Sequence, residues 1–548
     1  MATRSRVIES FGEVDKTVGT VFQYLLLAAT MFGLVTLAIL LVFVANDAVR
    51  PLTADLGWHL TFFLTLVVPT LLVVGSLAVR NVDALSFGVM GVGLLVVSLM
   101  FSGGVGMIFV DIVSPVAWFG FLLALAVPAT VVVGLERLGR LPFTLKLALT
   151  AALFYLSLFG FPGLAGSVVG VPQVVPSLVT LFSTLPILPV DWVLLALSVG
   201  GITAAAVGLY ARQLGGTRAG VVAGGGALAV VVASAVGGPF VGVTPVPATV
   251  LASVTLVPTV AYVAGGVVSR PEDRLGVLVP VVAVGGALLG AVVVETMGYA
   301  GPQSWVDWQF LTSPHSREAV DAGLYPAIGG SILLMITVAL LAFPLGVGAA
   351  VYLEEYAPDN WFTRFVDVNI SNLAGVPSVV YGLLGLGVFV TYLGQPTGTV
   401  AIGGATLALL ILPIVIISSR EAIRSVPTEM RQASYGMGAT KWQTVRRIVL
   451  PRAFPGILTG TILALGRAIG ETAPLIMIGA PTVVFSLPTE FSAKASAMPL
   501  QVFAWASLFA SDDFYTKAVP AGVVVLVSVL LAMNSIAIVL RNRYQSEQ

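Results

Sequence analysis

The chain of 548 residues contains no cysteine and only two histidines, His59 and His315. Without thiols there are no disulfides, cysteine nucleophiles, zinc–cysteine sites or iron–sulfur clusters, and we expect no metal centre. Charged side chains make up 9% of the chain, against roughly 25% in an average soluble domain. The 26 basic and 26 acidic residues cancel, so no net charge attracts nucleic acid. The P-loop motif of nucleotide-binding proteins is also missing, so ATP-driven work would need a partner.

Hydrophobic residues, in contrast, make up 57% of the chain, and the mean hydropathy is +1.02. A membrane-crossing helix needs about 20 predominantly apolar residues. Stretches of this kind lie near residues 21–45, 58–79, 86–110, 116–135, 142–162, 190–211, 218–237, 247–268, 276–298, 328–350, 372–394, 400–418, 456–480 and 517–540. The predicted fold is therefore all-α, a polytopic transmembrane helix bundle of about fourteen spans.

The basic residues indicate the orientation, because cytoplasmic loops collect Lys and Arg. With the N-terminus inside, fourteen spans put both termini and most basic loops in the cytoplasm. The basic residues placed there include Arg80, Arg137, Arg140, Lys146, Arg212, Arg218, Arg270, Arg274, Arg541 and Arg543. Arg50 is the main exception. We predict a multi-pass protein of the cell membrane.

One loop, residues 419–452, carries seven of the basic side chains and is predicted to be cytoplasmic. It also has local structure signals. A helix can begin at Pro427-Thr428 and end at Gly438. Thr440 and Gln443 have the spacing of a capping box that starts a second helix. Exposed apolar residues on such a helical pair favour a docking surface, but packing beneath the chain's own bundle remains an equal alternative.

The spacing within this loop resembles the signature of ABC importer permeases, Glu-Ala-Ala-x3-Gly-x9-Ile-x-Leu-Pro. The matching residues are Gln432, Ala433, Ser434, Gly438, Ile448, Leu450 and Pro451. In that family the loop forms a coupling helix that sits in a groove of a cytoplasmic ATPase, and Trp442 lies within the matching stretch. Gln432 stands where the family usually has Glu.

Further stretches, at residues 343–356, 372–387 and 466–474, resemble the PstA-type permease subunits of phosphate ABC transporters. The resemblance covers roughly residues 300–540. It implies a type-1 permease core of about six spans at 276–548, preceded by an additional region of about eight spans at 1–275. In an alternative arrangement the first helix of the core is 21–45, and eight spans are inserted after it.

Two charges, Arg467 and Glu471, fall within the predicted span 456–480, where a charge costs about 2.5–3.5 kcal/mol on insertion scales. Their i,i+4 spacing allows them to pair on one helix face. A guanidinium matches the oxygens of an oxyanion and stays protonated, so Arg467 is a candidate for the substrate path. Glu471 would then hold the arginine and keep the anion from binding too tightly. A structural ion pair is the alternative, and the family resemblance favours the path.

Three charges at the start of the loop, Arg420, Glu421 and Arg424, have two possible roles: ion pairs with the ATPase or anchoring of the loop at the membrane surface. Glu354 and Glu355 are expected to be solvated at the cytoplasmic end of a span. The outer-loop residues Trp305, Trp308 and His315 can meet a solute-binding protein, although a membrane-interface belt explains the tryptophans equally well.

The leading functional hypothesis is a permease subunit of an ATP-driven importer of inorganic phosphate, without catalytic residues of its own. The resemblance implies three partners: a second related permease, two copies of a cytoplasmic ATPase that uses ATP and Mg, and an external phosphate-binding protein. Two alternatives remain. One is a permease for another oxyanion, such as molybdate or sulfate, and the other is an ion-gradient-driven carrier that needs no ATPase. Residues 1–275 are a candidate structural or regulatory membrane module.

Overall fold

The computed structural model describes residues 16–138, 142–161, 174–184, 191–509 and 511–546. Within these ranges the chain is almost entirely helical, and its only β-structure is a pair of isolated bridges. The prediction of an all-α bundle is therefore confirmed. Of the basic residues used for the orientation, Arg140 lies outside the described residues.

We number the helices in chain order. The front part contains α1 (Lys16–Val49), α2 (Leu56–Arg80), α3 (Val82–Ile112), α4 (Pro115–Leu138), α5 (Phe143–Phe159), α6 (Leu178–Thr184), α7 (Asp191–Val241), α8 (Pro245–Ser269) and α9 (Pro271–Met297). The rear part contains α10 (Trp308–Thr312), α11 (Tyr325–Tyr356), α12 (Trp361–Ala374), α13 (Ser378–Tyr392), α14 (Val400–Arg424), α15 (Thr428–Gly436), α16 (Lys441–Ile469), α17 (Ala473–Met477), α18 (Met498–Ser507) and α19 (Val519–Ser546).

Among the described residues, eleven helices are long and apolar enough to cross a membrane, or twelve if α12 and α13, which meet at 107°, form one broken span. This count does not confirm the predicted fourteen. Two predicted spans, 190–211 and 218–237, fall within the single helix α7, which is interrupted at Gly215 and Gly216 by non-helical backbone angles. The predicted span 142–162 contains the 17-residue helix α5, shorter than a typical crossing.

The bounds predicted for the span 456–480 are wrong. Helix α16 begins earlier, at Lys441, and ends at Ile469. The chain then breaks at Gly470 and resumes as the short helix α17. Hydropathy does not register this break, because the residues beyond it are as apolar as those before it.

The front part contains a repeat that the sequence analysis missed. The hairpins α2–α3 and α8–α9 each have a π-helical turn in the first helix, at Phe63–Val67 and Ala252–Leu256. Val-Pro-Thr follows each turn directly, at 68–70 and at 257–259, and both turns between the paired helices read Arg-x-x-Asp-x-Leu, at 80–85 and 270–275. The two hairpins pack on each other, with α2 against α9 and α3 against both α8 and α9. Repeated units of this kind bury their apolar faces against one another.

In the rear part, α11 packs along α14, which packs on α16, and α16 packs on α19. Glycines allow the closest approach: a Cβ on Gly404 would lie 2.4 Å from Thr337, and one on Gly346 would lie 2.6 Å from Val415. Without its side chain, each glycine lets the neighbouring helix approach, as is common in membrane bundles. The apolar cluster here includes Leu334, Val338, Ile411 and Val415.

The residues just before α2 and just after α9 lie side by side. The Asp55 backbone N–H donates to the Ala300 carbonyl at 3.0 Å, and the Ala300 N–H donates to the Asp55 carboxylate at 2.7 Å. Arg50, the exception to the charge rule, has a left-handed backbone (φ 49°), and its guanidinium lies 5.5 Å from the ring centroid of Trp305. This cation–π contact stabilises the Arg50 charge at the end of α1.

The first and ninth helices have different neighbours. Helix α1 packs against α19 of the rear part, whereas α9 packs against α2 and α3 of the front part. The front bundle also touches the rear part through α3, where the Tyr325 hydroxyl donates to the Asp111 carboxylate and Met107 lies against Gly329.

Candidate functional site

The loop between α14 and α16 forms the predicted helix, glycine turn and helix. Helix α15 is followed by Gly438, whose φ of 80° is the left-handed conformation expected for a helix-ending glycine. The predicted capping box is present: the Thr440 N–H donates to Gln443 Oε1 at 2.8 Å, and the Gln443 N–H donates to Thr440 Oγ1 at 3.3 Å. The second helix does not end within the loop but continues past Pro451 as the span α16.

The loop-signature residues divide into an outward and an inward set. The outward residues are Gln432, Ala433, Gly438, Trp442 and Pro451, together with Tyr435 and Met437, whose side chain is 80% exposed. Ser434 is buried and hydrogen-bonded to Thr444 at 2.8 Å, while Ile448 and Leu450 are half-buried. Several large apolar side chains thus remain uncovered at the tip of this loop, a surface typical of a docking site for another protein.

Three charged residues at the end of α14 sit differently from one another. Arg420 is 11% exposed and pairs with Glu354 of α11 at 2.5 Å and with Asp367 of α12 at 2.6 Å. Arg424 pairs with Glu354 at 2.9 Å and with the exposed Glu421 at 3.3 Å. The expectation that Glu354 and Glu355 are solvated is wrong, because both lie largely buried in ion pairs. No local pattern predicts the ion pairs of Glu354 and Glu355, because their arginine partners are 66 or more residues away along the chain.

The intramembrane pair lies at a break rather than in mid-helix. Arg467 occupies the last turn of α16, and Glu471 lies just beyond the helix end at Ile469. Arg467 Nε lies 3.4 Å from Glu471 Oε1, with the arginine side chain 48% exposed and the glutamate 17% exposed. A cation is favourable at a helix C-terminus, because the free carbonyls there carry partial negative charge. The long contact leaves most of the guanidinium donors open.

A second discontinuous span lies beside this break. The first turns of α13 follow the sharp bend after α12, and they pack on α17. A Cβ on Gly382 would lie 2.8 Å from Pro474 and 2.7 Å from Met477. Substrate sites of many membrane transporters form where two broken helices meet.

Asn534 on α19 is a polar neighbour that the sequence analysis missed. A Cβ on Gly466 would lie 3.4 Å from Asn534 Oδ1, and within the described residues this buried oxygen has no hydrogen-bond partner. A lone Asn in an otherwise apolar span was the available signal, since polar residues inside membranes are costly.

In the segment between α9 and α11, His315 is buried in an aromatic cluster. The Trp505 indole N–H donates to His315 Nδ1 at 3.0 Å, and Phe509 lies 4.8 Å from the imidazole centroid. The indole can only donate, so His315 must be neutral and carry its proton on Nε2. Trp308, in contrast, is exposed.

Burial lowers the pKa of His315 below its usual 6.5. Between the two pKa values His315 is protonated in the unfolded chain and neutral in the folded chain. The contribution of His315 to the free energy of unfolding is therefore fully present above pH 6.5 and is lost as the pH falls through the folded-state pKa. We expect the melting temperature to fall more between pH 7.5 and pH 5 in the wild type than in His315→Gln. Equal falls in both proteins would contradict this assignment.

Comparisons with known proteins bear on the rear part of the chain. A family model described as "Binding-protein-dependent transport system inner membrane component" matches residues 342–545. The probable ABC transporter permease protein YqgI of Bacillus subtilis (strain 168) is 36% identical over 220 residues, covering 40% of this chain and 74% of that protein. The phosphate transport system permease protein PstA of Mycobacterium leprae (strain TN) is 39% identical over 213 residues, covering 38% of this chain and 68% of that protein.

Among solved structures, an inward-facing form of the MetNI methionine ABC transporter covers 40% of this chain and 97% of its own, at 16% identity and a TM-score of 0.32. The sequence matches alone decide the family, since two relatives above 30% identity are each covered over more than two thirds of their length. The chain belongs to the binding-protein-dependent transport system inner membrane components, as an ABC importer permease of the PstA type.

Proposed function

We propose that this permease forms part of the membrane path for inorganic phosphate, with Arg467 as the residue that attracts the anion. The supporting observation is a half-exposed guanidinium held loosely by Glu471 at the meeting point of two broken helices. Arginine suits phosphate because it stays charged and presents several donors in one plane. Glu471 keeps the arginine in place between passages and lowers the affinity enough for release.

Family membership implies an ATPase and a substrate-binding protein as partners. We propose in addition a second related permease, two ATPase copies that use ATP and Mg, and a binding protein specific for phosphate. The ATPase docks on the outward face of the coupling loop, at Gln432, Gly438 and Trp442, while Arg420 and Arg424 anchor the loop to α11. Both chain termini lie in the cytoplasm in this arrangement.

Reconstitution into sealed vesicles tests the proposal. The chain with its permease partner, ATPase and binding protein should take up labelled phosphate when ATP is present on the ATPase side. Excess sulfate or molybdate should leave that uptake unchanged. Competition by either oxyanion would favour the other cargo. Uptake by the chain alone along an ion gradient would favour a carrier that needs no ATPase.

We also propose that the core takes its first helix from α1 and that residues 56–297 are an inserted bundle. This revises the domain boundary expected at 275/276. Helix α1 packs on α19 of the core, whereas α9 packs within the front bundle. The hydrogen bonds between Asp55 and Ala300 bring the two ends of the insertion together, and insertions are tolerated where chain ends are close.

Joining Asp55 directly to Gly298 should therefore leave a permease that folds and binds its ATPase. The core faces that the front bundle covers would then contact lipid, which can solvate apolar side chains in its place. We therefore expect uptake within about threefold of the full chain. The measurements are ATPase co-purification and phosphate uptake. Loss of both would show that the core requires the front bundle.

A further inference from the structure

Arg431 lies on the coupling helix α15, but its side chain points into the bundle. Its Nη2 and Nε lie 3.1 and 3.2 Å from Glu355 Oε1, in the last turn of α11. Nη2 also donates to the Ile423 carbonyl at 2.8 Å, and Nη1 donates to the Val426 carbonyl. All three guanidinium nitrogens are therefore used, and they join α15 to the cytoplasmic ends of α11 and α14.

This arrangement is energetically demanding to break. Glu355 is only 7% exposed, and removing one partner of a buried ion pair leaves the other charge uncompensated. The Ile423 and Val426 carbonyls lie at and just beyond the end of α14, where carbonyls lack helical partners and favour a cation. Beneath them lies an apolar cluster that includes Ala350, Ile423 and Val449.

Other attachments of α15 lead elsewhere. Its backbone packs mainly against the start of α16, and the buried Ser434–Thr444 hydrogen bond reinforces that contact. In the part of the chain that the structure describes, the Arg431 side chain is thus the polar side-chain link from α15 to α11, and it reinforces the short backbone connection from α15 to α14. Helices α11 and α14 are packed through glycines, so they are expected to move together.

The link continues towards the candidate site. A Cβ on Gly403 of α14 would lie 2.8 Å from Leu334 of α11 and 3.3 Å from Leu475 of α17. Helix α17 directly follows Arg467 and Glu471. A displacement of α14 at its cytoplasmic end can therefore reach the break in α16 through close-packed side chains.

We propose that Arg431 is a positioning residue that transmits movement of the coupling helix to α11 and α14. The inference rests on the proposed function, because a docked ATPase supplies the movement. Without the Arg431 contacts, α15 can follow the ATPase while α11 and α14 stay behind. ATP hydrolysis then continues without a matching conformational change at Arg467.

The first test uses the full-length chain alone. Because the chain lacks cysteine, a spin label on Met437→Cys reports the mobility of the loop tip specifically. We expect Arg431→Gln to increase the mobility most and Glu355→Gln to increase it less, because Arg431 then keeps its contacts with the Ile423 and Val426 carbonyls. The double variant should add nothing to the effect of Arg431→Gln. The matched control is Arg364→Gln, whose exposed partner Asp359 lies 3.1 Å away on the same side of the membrane. Unchanged mobility in Arg431→Gln would overturn the inference.

The second test uses the reconstituted complex. Arg431→Gln should still co-purify with the ATPase and hydrolyse ATP, but the phosphate transported per ATP should fall about tenfold, as for typical coupling energies. An unchanged ratio, or loss of the ATPase from the complex, would overturn the positioning role. A wild-type complex without ATP-driven phosphate uptake would instead reject the proposed function.

Discussion

Replacing Arg467 with Gln is expected to abolish phosphate uptake in a complex that still assembles. Glutamine keeps hydrogen-bonding capacity but loses the charge, and a charge-assisted hydrogen bond is worth roughly 1.5–3 kcal/mol. Since each 1.4 kcal/mol is a factor of ten, the loss of one such bond lowers uptake by up to about 100-fold. The loss of a guanidinium that makes several such bonds lowers uptake further. Assembly should persist, because Arg467 is half-exposed and its contact with Glu471 is long, at 3.4 Å.

The measurements for Arg467→Gln are initial rates of phosphate uptake and co-purification of the ATPase. Arg364→Gln serves again as the control, because it removes one arginine charge from a solvent-exposed pair remote from the break in α16. Uptake close to that of the wild type in Arg467→Gln would remove the arginine from the path. Failure of the complex to assemble would mean that the Arg467–Glu471 pair is structural.

The fold class and the coupling loop were predictable because their signals are local. The apolar stretches all coincide with helical segments of the described residues, although two of them share α7 and two others contain a break. The Thr440–Gln443 capping box depends on residues three apart. The seven basic side chains of the loop are likewise a local signal, and they predict a cytoplasmic position for it. The family spacing located the loop, but it does not distinguish outward from inward side chains: Ser434 is one of the matching residues and is buried.

The features that the sequence did not predict depend on contacts between distant segments. Arg420 forms ion pairs with Asp367 and Glu354, which lie 53 and 66 residues away along the chain. No sequence periodicity predicts contacts over such separations. The end of α16 at Ile469 escaped notice, because a hydropathy average is insensitive to a three-residue break between two apolar stretches. The hairpin repeat in the front bundle was visible in the sequence, but a comparison of the chain with itself was needed to find it.

Replacing Arg420 with Gln is expected to destabilise the end of the bundle where α11, α12 and α14 meet by about 3 kcal/mol, the lower end of the range for breaking a buried ion pair. Arg420 joins three helices, because it lies on α14 and pairs with Glu354 of α11 and Asp367 of α12. Without it, Asp367 has lost its cation and Glu354 retains only the half-exposed Arg424. Asp367 is partly solvated, which is why the lower end of the range applies.

The matched control for Arg420→Gln is Glu421→Gln, one residue along the same helix. Its side chain is exposed, and within the described ranges its ion-pair partner is Arg424 alone. Such surface pairs contribute little to stability. Thermal unfolding of the purified chain should show a clear decrease in melting temperature for Arg420→Gln and none for Glu421→Gln. If the two variants melt alike, the Arg420 contacts do not stabilise the fold. Its charge would then be free to pair with the ATPase, the other role that the sequence left open for it.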